Sequence, residues 1–557
     1  MAKQSDVTLT VEGFDGVMPT GVTITSQVGS IPTAIVDLAP GGTTVTQIKG
    51  VTSSLLSNTD AVKRQQDITI DISVNTYVNS EVGRKLKKLK FVGLFDGLTV
   101  GNVVGNNTYQ AVVKNKAQVL LEVAIMAPGL HPASINIYKN PSWSSTIDPH
   151  GKEGKVIAWG GSIKNPEIFD NPPIKFYKKL LTHIVELQQG DWQSYTQLDK
   201  LTDGKIAFEA VFNDPKYKKA LTTAQQLLSD LDITAVDGGS SQSTKIVLQN
   251  NDSMMNIFTR GPDILLENLM NFLSNMGCSL IFGNSKIFVV PVNSVINQEF
   301  TEPGPKQLHS EPNQAYPADY TGYTYSDVGY RDIKAVVVST PEYIGGAYSG
   351  GLSYDRGFVA TYVAPDDLSQ ASGVLVVQAH PWMCSSPTAS LPAQEKTNDA
   401  NKDLDEVENV MYSEDLDYDA ALEKIRAAHN TANDNKNDEY KKVLDKIVTN
   451  YAETKFYQAR YADRLGSITM DFNPDWVPGT SGTLYIRETK VFIAFYVNSV
   501  THRVDMSPPN NGSAITIVNF CCGRSGSHPK GVDEDAYLGY NRGKEKGLQA
   551  AYIADIT

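Results

Sequence analysis

Residues 491–500, VFIAFYVNSV, carry apolar side chains at nearly every position, so a strand here has no face left for water. Val491, Ile493, Phe495 and Val497 would point one way, and Phe492, Ala494, Tyr496 and Val500 the other. Just upstream, FNPDWVPGTSGTLYI (472–486) sets a Pro-Gly turn between two strand-like runs. Residues 5–165 share this β character. VTLTVEGF, GVTITS, QDITIDISVNTYV, AQVLLEVAIM and KVIAWGGSI are rich in β-branched and aromatic residues, with Gly, Pro and Asn between them. One helix is expected there, over Ser80–Lys90, where Leu86 and Leu89 lie at helical spacing within the basic run GRKLKKLK.

The period changes from about residue 166. Phe176, Leu180, Leu181, Ile184 and Leu187 repeat as on one helix face. Asp214-Pro215 is a polar cap followed by proline in the first turn, and the helix it opens carries Leu221, Leu227 and Leu228. A further helix begins at Gly261-Pro262-Asp263, carries Leu265, Leu269, Phe272, Leu273 and Met276, and stops at Gly277. A β-hairpin follows it: CSLIF, a GNS turn, then KIFVVPV. In residues 301–390 clear strands appear only at DIKAVVVST and GVLVVQA. Residues 395–465 begin acidic and then show two amphipathic stretches broken at TANDNKND, which predicts a helical hairpin facing outward. The β pattern resumes at SITMDF. The last stretch, 527–557, is polar and Gly-rich and reads as an extended arm.

Composition narrows the function. A chain of 557 residues is too long for one core, so roughly three or four domains are expected. The net charge of −13 argues against a general nucleic-acid binder, because phosphates reward a surplus of Lys and Arg. The basic run at Gly83–Lys90 reads first as a solvated face and only second as an anion patch. The start, MAKQSDVTLT, has no apolar run for a secretory leader, and no segment reaches the roughly 20 apolar residues of a membrane helix. Cys278 and Cys384 stand alone, and Cys521 and Cys522 are adjacent, which disfavours an ordinary bridge and suits a reducing compartment.

The search for chemistry ends without a catalytic, cofactor-binding or metal-ligating set. His380 and Cys384 in HPWMC read as a core or loop pair before they read as a dyad. Asp415, Asp417 and Asp419 sit at calcium-loop spacing, but Ala420 replaces the glycine and Arg426 the closing glutamate. GxSxG and the phosphate-loop lysine are absent. Paired carboxylates of a cell-wall hydrolase stay open, since one sequence cannot place two of them across a cleft.

Two further stretches share a pattern. VAIMAPG followed by VIAWGGSI, and the opening pair above, both run strand, Pro-Gly turn, strand, with Ile157-Ala158-Trp159 matching Ile493-Ala494-Phe495. Duplication would explain it. FNPDWVPGTSGTLYI, FIAFYVNSVTHRVDM and SAITIVNFCCGRSG resemble the C-terminal barrel of phage baseplate hub proteins. DILLENLMNFLSNMGCSLIFGNSKIFVVPV is similar to the middle of such hubs. The resemblance covers about half the chain. It implies an α+β, mainly β chain with two tail-tube-like β-barrels, inserted α/β modules and the helical hairpin as a departure from a minimal hub. The divisions would be a first barrel at 1–165, an α/β middle module at 166–319, part of the second barrel at 320–394, the helical insert at 395–465, the rest of the second barrel at 466–526 and the arm at 527–557.

The resemblance further implies a non-enzymatic homotrimer that adapts a hexameric tail tube to a trimeric central spike, placed in the virion tail baseplate and assembled in host cytoplasm. Other baseplate proteins and the tape measure are further candidate partners; no cofactor, membrane or specific nucleic acid is implied. Another tail-tip or injection-machine component and a hub-associated hydrolase are the alternatives. On the hub reading, Phe492 and Tyr496 would face a neighbouring subunit. Tyr537, Tyr540, Tyr552 and Ile553 would anchor the arm on the spike or a neighbour, since aromatic residues commonly carry interface energy.

Overall fold

Ile68, Ile70, Ile72 and Val74 alternate with Thr, Asp and Ser, and all four are buried, as a strand with one wet face requires. They lie on β4 (Asp67–Tyr77) of an N-terminal set that also holds β1 (Ser5–Glu12), β2 (Met18–Gln27), β3 (Ser30–Ala39), β5 (Arg84–Val103) and β6 (Asn106–Asn115). The structure is a computed structural model. It describes residues 5–12, 18–39, 66–77, 84–103, 106–125, 157–158, 161–162, 178, 181–182, 185, 214–235, 263–275, 277–292, 314–315, 320–326, 333–339, 358–363, 373–378, 449, 451–461, 463–486, 488–489, 491–506, 512–527 and 543–557.

Beyond the first six strands the elements run in chain order. They are α1 (Val119–Glu122), β7 (Ala124–Ile125), β8 (Ile157–Ala158), β9 (Gly161–Ser162), α2 (Pro215–Ser229), β10 (Asp263–Ile264) and α3 (Leu265–Asn275). Next come β11 (Cys278–Phe282), β12 (Ile287–Pro291), β13 (Gln314–Ala315), β14 (Tyr320–Tyr325), β15 (Ile333–Ser339), β16 (Phe358–Val363) and β17 (Gly373–Gln378). A helical run over 451–461, called α4, precedes β18 (Gly466–Asp471), β19 (Ser481–Ile486), β20 (Val491–Asp505), β21 (Ser513–Ser527) and α5 (Gly543–Ile556). The chain is mainly β with helices between strands, the α+β class that its sequence predicts.

One sheet unites the two ends of the chain. Its order is β1-β4-β5-β6-β3-β2-β20-β21-β18-β14, with β19 on β20 and β13 on β19. The join is β20. Its first half pairs with β19, from Ser481↔Tyr496 to Ile486↔Val491. Its second half pairs with β2, from Gly21↔Asp505 to Gln27↔Ser499. Strand β21 follows β20 along its whole length. The segments β15–β17 form a separate three-stranded sheet in the order β16-β15-β17.

Among the described residues three main cores result. One face of β1–β6 shares a core with Ile281, Phe288 and Val290, and with Leu548, Tyr552 and Ile556 of α5. A second core gathers α1, α2, α3, the β15–β17 sheet and α4 around Leu280, Phe282, Ile287 and Val289. The hairpin β11–β12 is therefore the wall between them, and this is why its sequence is apolar on both faces. The third core lies under β18–β21, with Trp476, Phe495 and Phe520 at its centre; the last two rings stack at 4.0 Å.

Local signals explain several boundaries. Asp214 accepts from the Lys216 amide at 2.7 Å and so caps α2 just before Pro215. Gly277 adopts φ +67° between α3 and β11, as a helix-ending glycine should.

Four expectations are corrected. Of the helix expected over Ser80–Lys90, residues 80–83 lie outside the described residues and Arg84–Lys90 is strand: β5 begins at Arg84 and pairs with β4 from Tyr77↔Arg84 to Asp67↔Leu94. Leu89, Phe91 and Phe95 are buried at period two while Leu86 is exposed, so the ladder overrides the local spacing of Leu86 and Leu89. The match of Ile157-Ala158-Trp159 to Ile493-Ala494-Phe495 is not topological. β8 is a two-residue strand that pairs with β9 through Ile157↔Ser162 and Ala158↔Gly161, whereas 491–505 is one continuous strand; Trp159 lies outside the described residues.

The helical segment before β18 is not wholly an outward module. Tyr451, Ala452 and Phe456 are buried in the second core, the Phe456 ring lies 5.2 Å from that of Tyr362, and Arg460 donates to the Ile333 carbonyl. Finally, the C-terminal stretch is not wholly an extended arm, since Gly543–Ile556 is a helix with Leu548, Gln549, Tyr552 and Ile556 turned inward.

Candidate functional site

Burial of both faces of residues 493–500 on β20 is achieved within one chain, while further along Arg503 and Asp505 are exposed. Ile493, Phe495 and Val497 enter the third core, and Tyr496, 5% exposed, packs with Val292 and Cys522 against Val28, Tyr457 and Tyr461. Val500 joins the Val497 side. The register steps from Val497↔Phe520 to Ser499↔Asn519, so Asn498 is an extra residue that reverses the alternation. Its expected place beside Tyr496 is thereby corrected. Phe492 pairs with Tyr485 on one side and Gly526 on the other.

Tyr496→Asp is accordingly expected to destabilise the single chain, by about 3 kcal/mol, because the carboxylate replaces a side chain buried against Val292, Cys522, Tyr457 and Tyr461 of the same chain. Thermal unfolding of the variant at a concentration that keeps it monomeric measures this, and an unchanged midpoint would return the residue to a subunit boundary.

Beside Tyr496 opens a cleft of about 510 Å³. Four irregular backbone positions frame it. The β2–β3 turn contributes Val28 and Gly29, whose amides donate to the carbonyls of Asn498 at 3.0 Å and Leu280 at 2.8 Å. The Asn498 bulge, Gly277 and a second bulge at Cys522–Gly523 complete the frame. At that second bulge β21 carries the extra residue, since Ala494↔Arg524 is followed by Tyr496↔Cys521. Cys278, Cys521 and Cys522 all line the cleft. Burial pushes the Cys278 thiol up to about 12, so it is held neutral.

The second polar cluster fixes α5. Asn284, in the β11–β12 turn, accepts from the Val92 amide at 2.9 Å and donates to the carbonyls of Lys90 and Asp555. The Asp555 carboxylate accepts from the Ser285 amide at 3.0 Å and from its hydroxyl. Gln549 donates to the Thr480 hydroxyl at 3.2 Å. Tyr552 hydrogen-bonds Ser26 and meets the Phe288 ring edge-on at 5.7 Å; burial pushes its hydroxyl up to about 12. Tyr552, an expected partner anchor, is thus an anchor within its own chain, and Ile553 is half-buried beside the same core. Tyr537 and Tyr540 lie outside the described residues, as do His380, Cys384 and the acidic run 414–423.

Among the described residues no three His, Cys, Asp or Glu side chains are grouped to hold a metal ion, and no helix is long and apolar enough to cross a membrane. The sequence reading missed His502. It sits buried on β20, with Nδ1 3.0 Å from the Thr516 hydroxyl, and its position between the Phe472 ring and Lys87 comes from residues far apart in the chain.

No family model matches the chain, and no curated protein matches it. Among solved structures it is similar to the tail protein from Neisseria meningitidis MC58, at 8% identity and a TM-score of 0.38 over 93% of this chain and 96% of that one. It is similar to the 43 kDa tail protein of prophage MuSo2 from Shewanella oneidensis, at 8% identity and a TM-score of 0.37 over 96% and 99% of the two chains. It is also similar to prophage tail protein gp18 from Listeria monocytogenes EGD-e, at 7% identity and a TM-score of 0.37 over 92% and 94%.

Proposed function

We propose that the chain is a structural protein of a phage tail and that it works as the baseplate hub, a homotrimer between a sixfold tube and a threefold spike. The β2–β20 ladder carries this reading: it ties the N-terminal and C-terminal β sets into one sheet, so each chain offers two coupled β units. Three copies with closed symmetry would offer six units to a tube above and three identical faces to a spike below. A short flexible linker between the halves would leave the angle between neighbouring units loose. Seven ladder pairs across β2 and β20 instead fix it.

Native mass measurement of the purified full chain, alone and with the tube protein of the same phage, tests the proposal. Trimers, alone or templated on tube rings, are expected. Monomers that stay monomeric on the tube protein, or dimers, would overturn the hub reading.

A further inference from the structure

Adjacent residues of a regular strand point to opposite faces, so Cys521 and Cys522 should not meet. They do. Both line the central cleft, and the two side chains are hydrogen-bonded to one another. The cause is the β21 bulge. Cys522 has φ +56°, and among the described residues it alone places a non-glycine side chain in the left-handed region. Bulges with a left-handed residue normally use glycine there. The next residue is Gly523, so a shift by one position would relieve the strain; the cysteine holds the strained place instead.

Strain of this kind persists where surrounding structure over-determines it. Here the Tyr496↔Cys521 pairing fixes one side of the bulge. The Gly523 amide, donating to the Arg464 carbonyl at 3.2 Å, fixes the other. The outcome is two thiols on one wall of a cleft large enough for a small molecule. Cys521 is half-buried and the more accessible of the two; Cys522 lies deeper.

We propose that Cys521–Cys522 is a dithiol modification site that a small-molecule disulfide entering the cleft oxidises to a vicinal disulfide. The Cys521 thiolate attacks one sulfur of the reagent, forms a mixed disulfide and releases one reagent thiol. The Cys522 thiolate then attacks the Cys521 sulfur, closes the ring and releases the second reagent thiol. The protein loses two hydrogens and two electrons, and the reagent gains both. Neighbouring Cα atoms are about 3.8 Å apart, short of the usual separation for a disulfide, so the ring is strained and readily reduced again. Hydrogen bonding with Cys522 and burial both push the Cys521 thiol up, which makes the first step slow. The buried Cys278 thiol faces the same cleft and is the competing partner.

The test uses the folded full chain, excess oxidised glutathione, intact-mass measurement and peptide mapping over hours. Loss of two hydrogens is expected on the peptide that holds 521–522, reversed by a dithiol reductant. Cys522→Ser should stop at one glutathione on Cys521, and Cys521→Ser should lose the reaction at this peptide. A wild-type chain that stops at a mixed disulfide, pairs Cys278 with either residue, or stays unmodified at 521–522 overturns the proposal.

Discussion

Removing Gly543–Thr557 is expected to lower the first thermal transition of the chain by on the order of 10 °C or more. Leu548, Tyr552 and Ile556 each bury their side chains in the core of the N-terminal strands. Full burial of such side chains contributes roughly 1.5–3 kcal/mol each, an upper estimate that together is comparable to the whole stability of a domain. The loss also uncovers Phe288 and leaves the β11–β12 turn without the Asp555 contacts to Ser285 and Asn284. Because that hairpin separates two cores, the damage should spread to both. Tyr552→Ala is the milder version, at about 3–5 kcal/mol by analogy with other aromatic truncations. Differential scanning fluorimetry of both variants measures this. A truncated chain with an unchanged first transition would show that α5 rests on the core without supporting it.

The same helix shows why some of the fold was hidden in the sequence. Leu548, Tyr552 and Ile556 stand at helical spacing, but Gly543 and Gly547 lower the local propensity. What makes the helix stable is a groove formed by Ile281, Phe288 and Val290, far upstream. Where local and tertiary signals agree, the sequence is readable. Ile68 to Val74 predicts a half-buried strand, Asp214-Pro215 predicts the start of α2, and GNS predicts the β11–β12 turn.

Where a period is ambiguous over few residues, it misleads. Leu86 and Leu89 suggest a helix, while Phe91 and Phe95 further on settle a strand. The doubly apolar β20 was legible as buried, but not what covers it: one extra residue at Asn498 moves Val500 to the other side. The thiol pair was visible as adjacent cysteines. Its shared face depends on one backbone angle at Cys522, and the third thiol arrives from Cys278 on another element.

A buried histidine gives the second large effect, and its sign follows from burial. His502 is held neutral: desolvation first, and the nearby Lys87 charge second, lower its pKa from 6.5 to about 3. From β5, Lys87 gives its ammonium to Asn473 Oδ1 at 2.8 Å; from β21, Thr516 shares its hydroxyl with the ring; from α5, Tyr552 lines the same small void. In the unfolded chain the imidazole takes a proton below about pH 6.5, while in the folded chain it does so only near 3. The unfolded state therefore binds more protons in this window. The His502 contribution is complete above about 6.5 and is lost as pH falls, at a limiting slope of about 1.4 kcal/mol per unit. Many carboxylates also titrate below pH 5, so the informative quantity is the difference between wild type and His502→Gln, which cannot charge. Between pH 7.5 and pH 5 the stability advantage of wild type over this variant should shrink by about 2 kcal/mol. Thermal midpoints of both proteins at half-unit intervals read it directly. A difference that stays flat across this range would mean that His502 gains its proton in the folded chain as easily as in the unfolded one, and that the seam between β20 and the C-terminal helix is open to water.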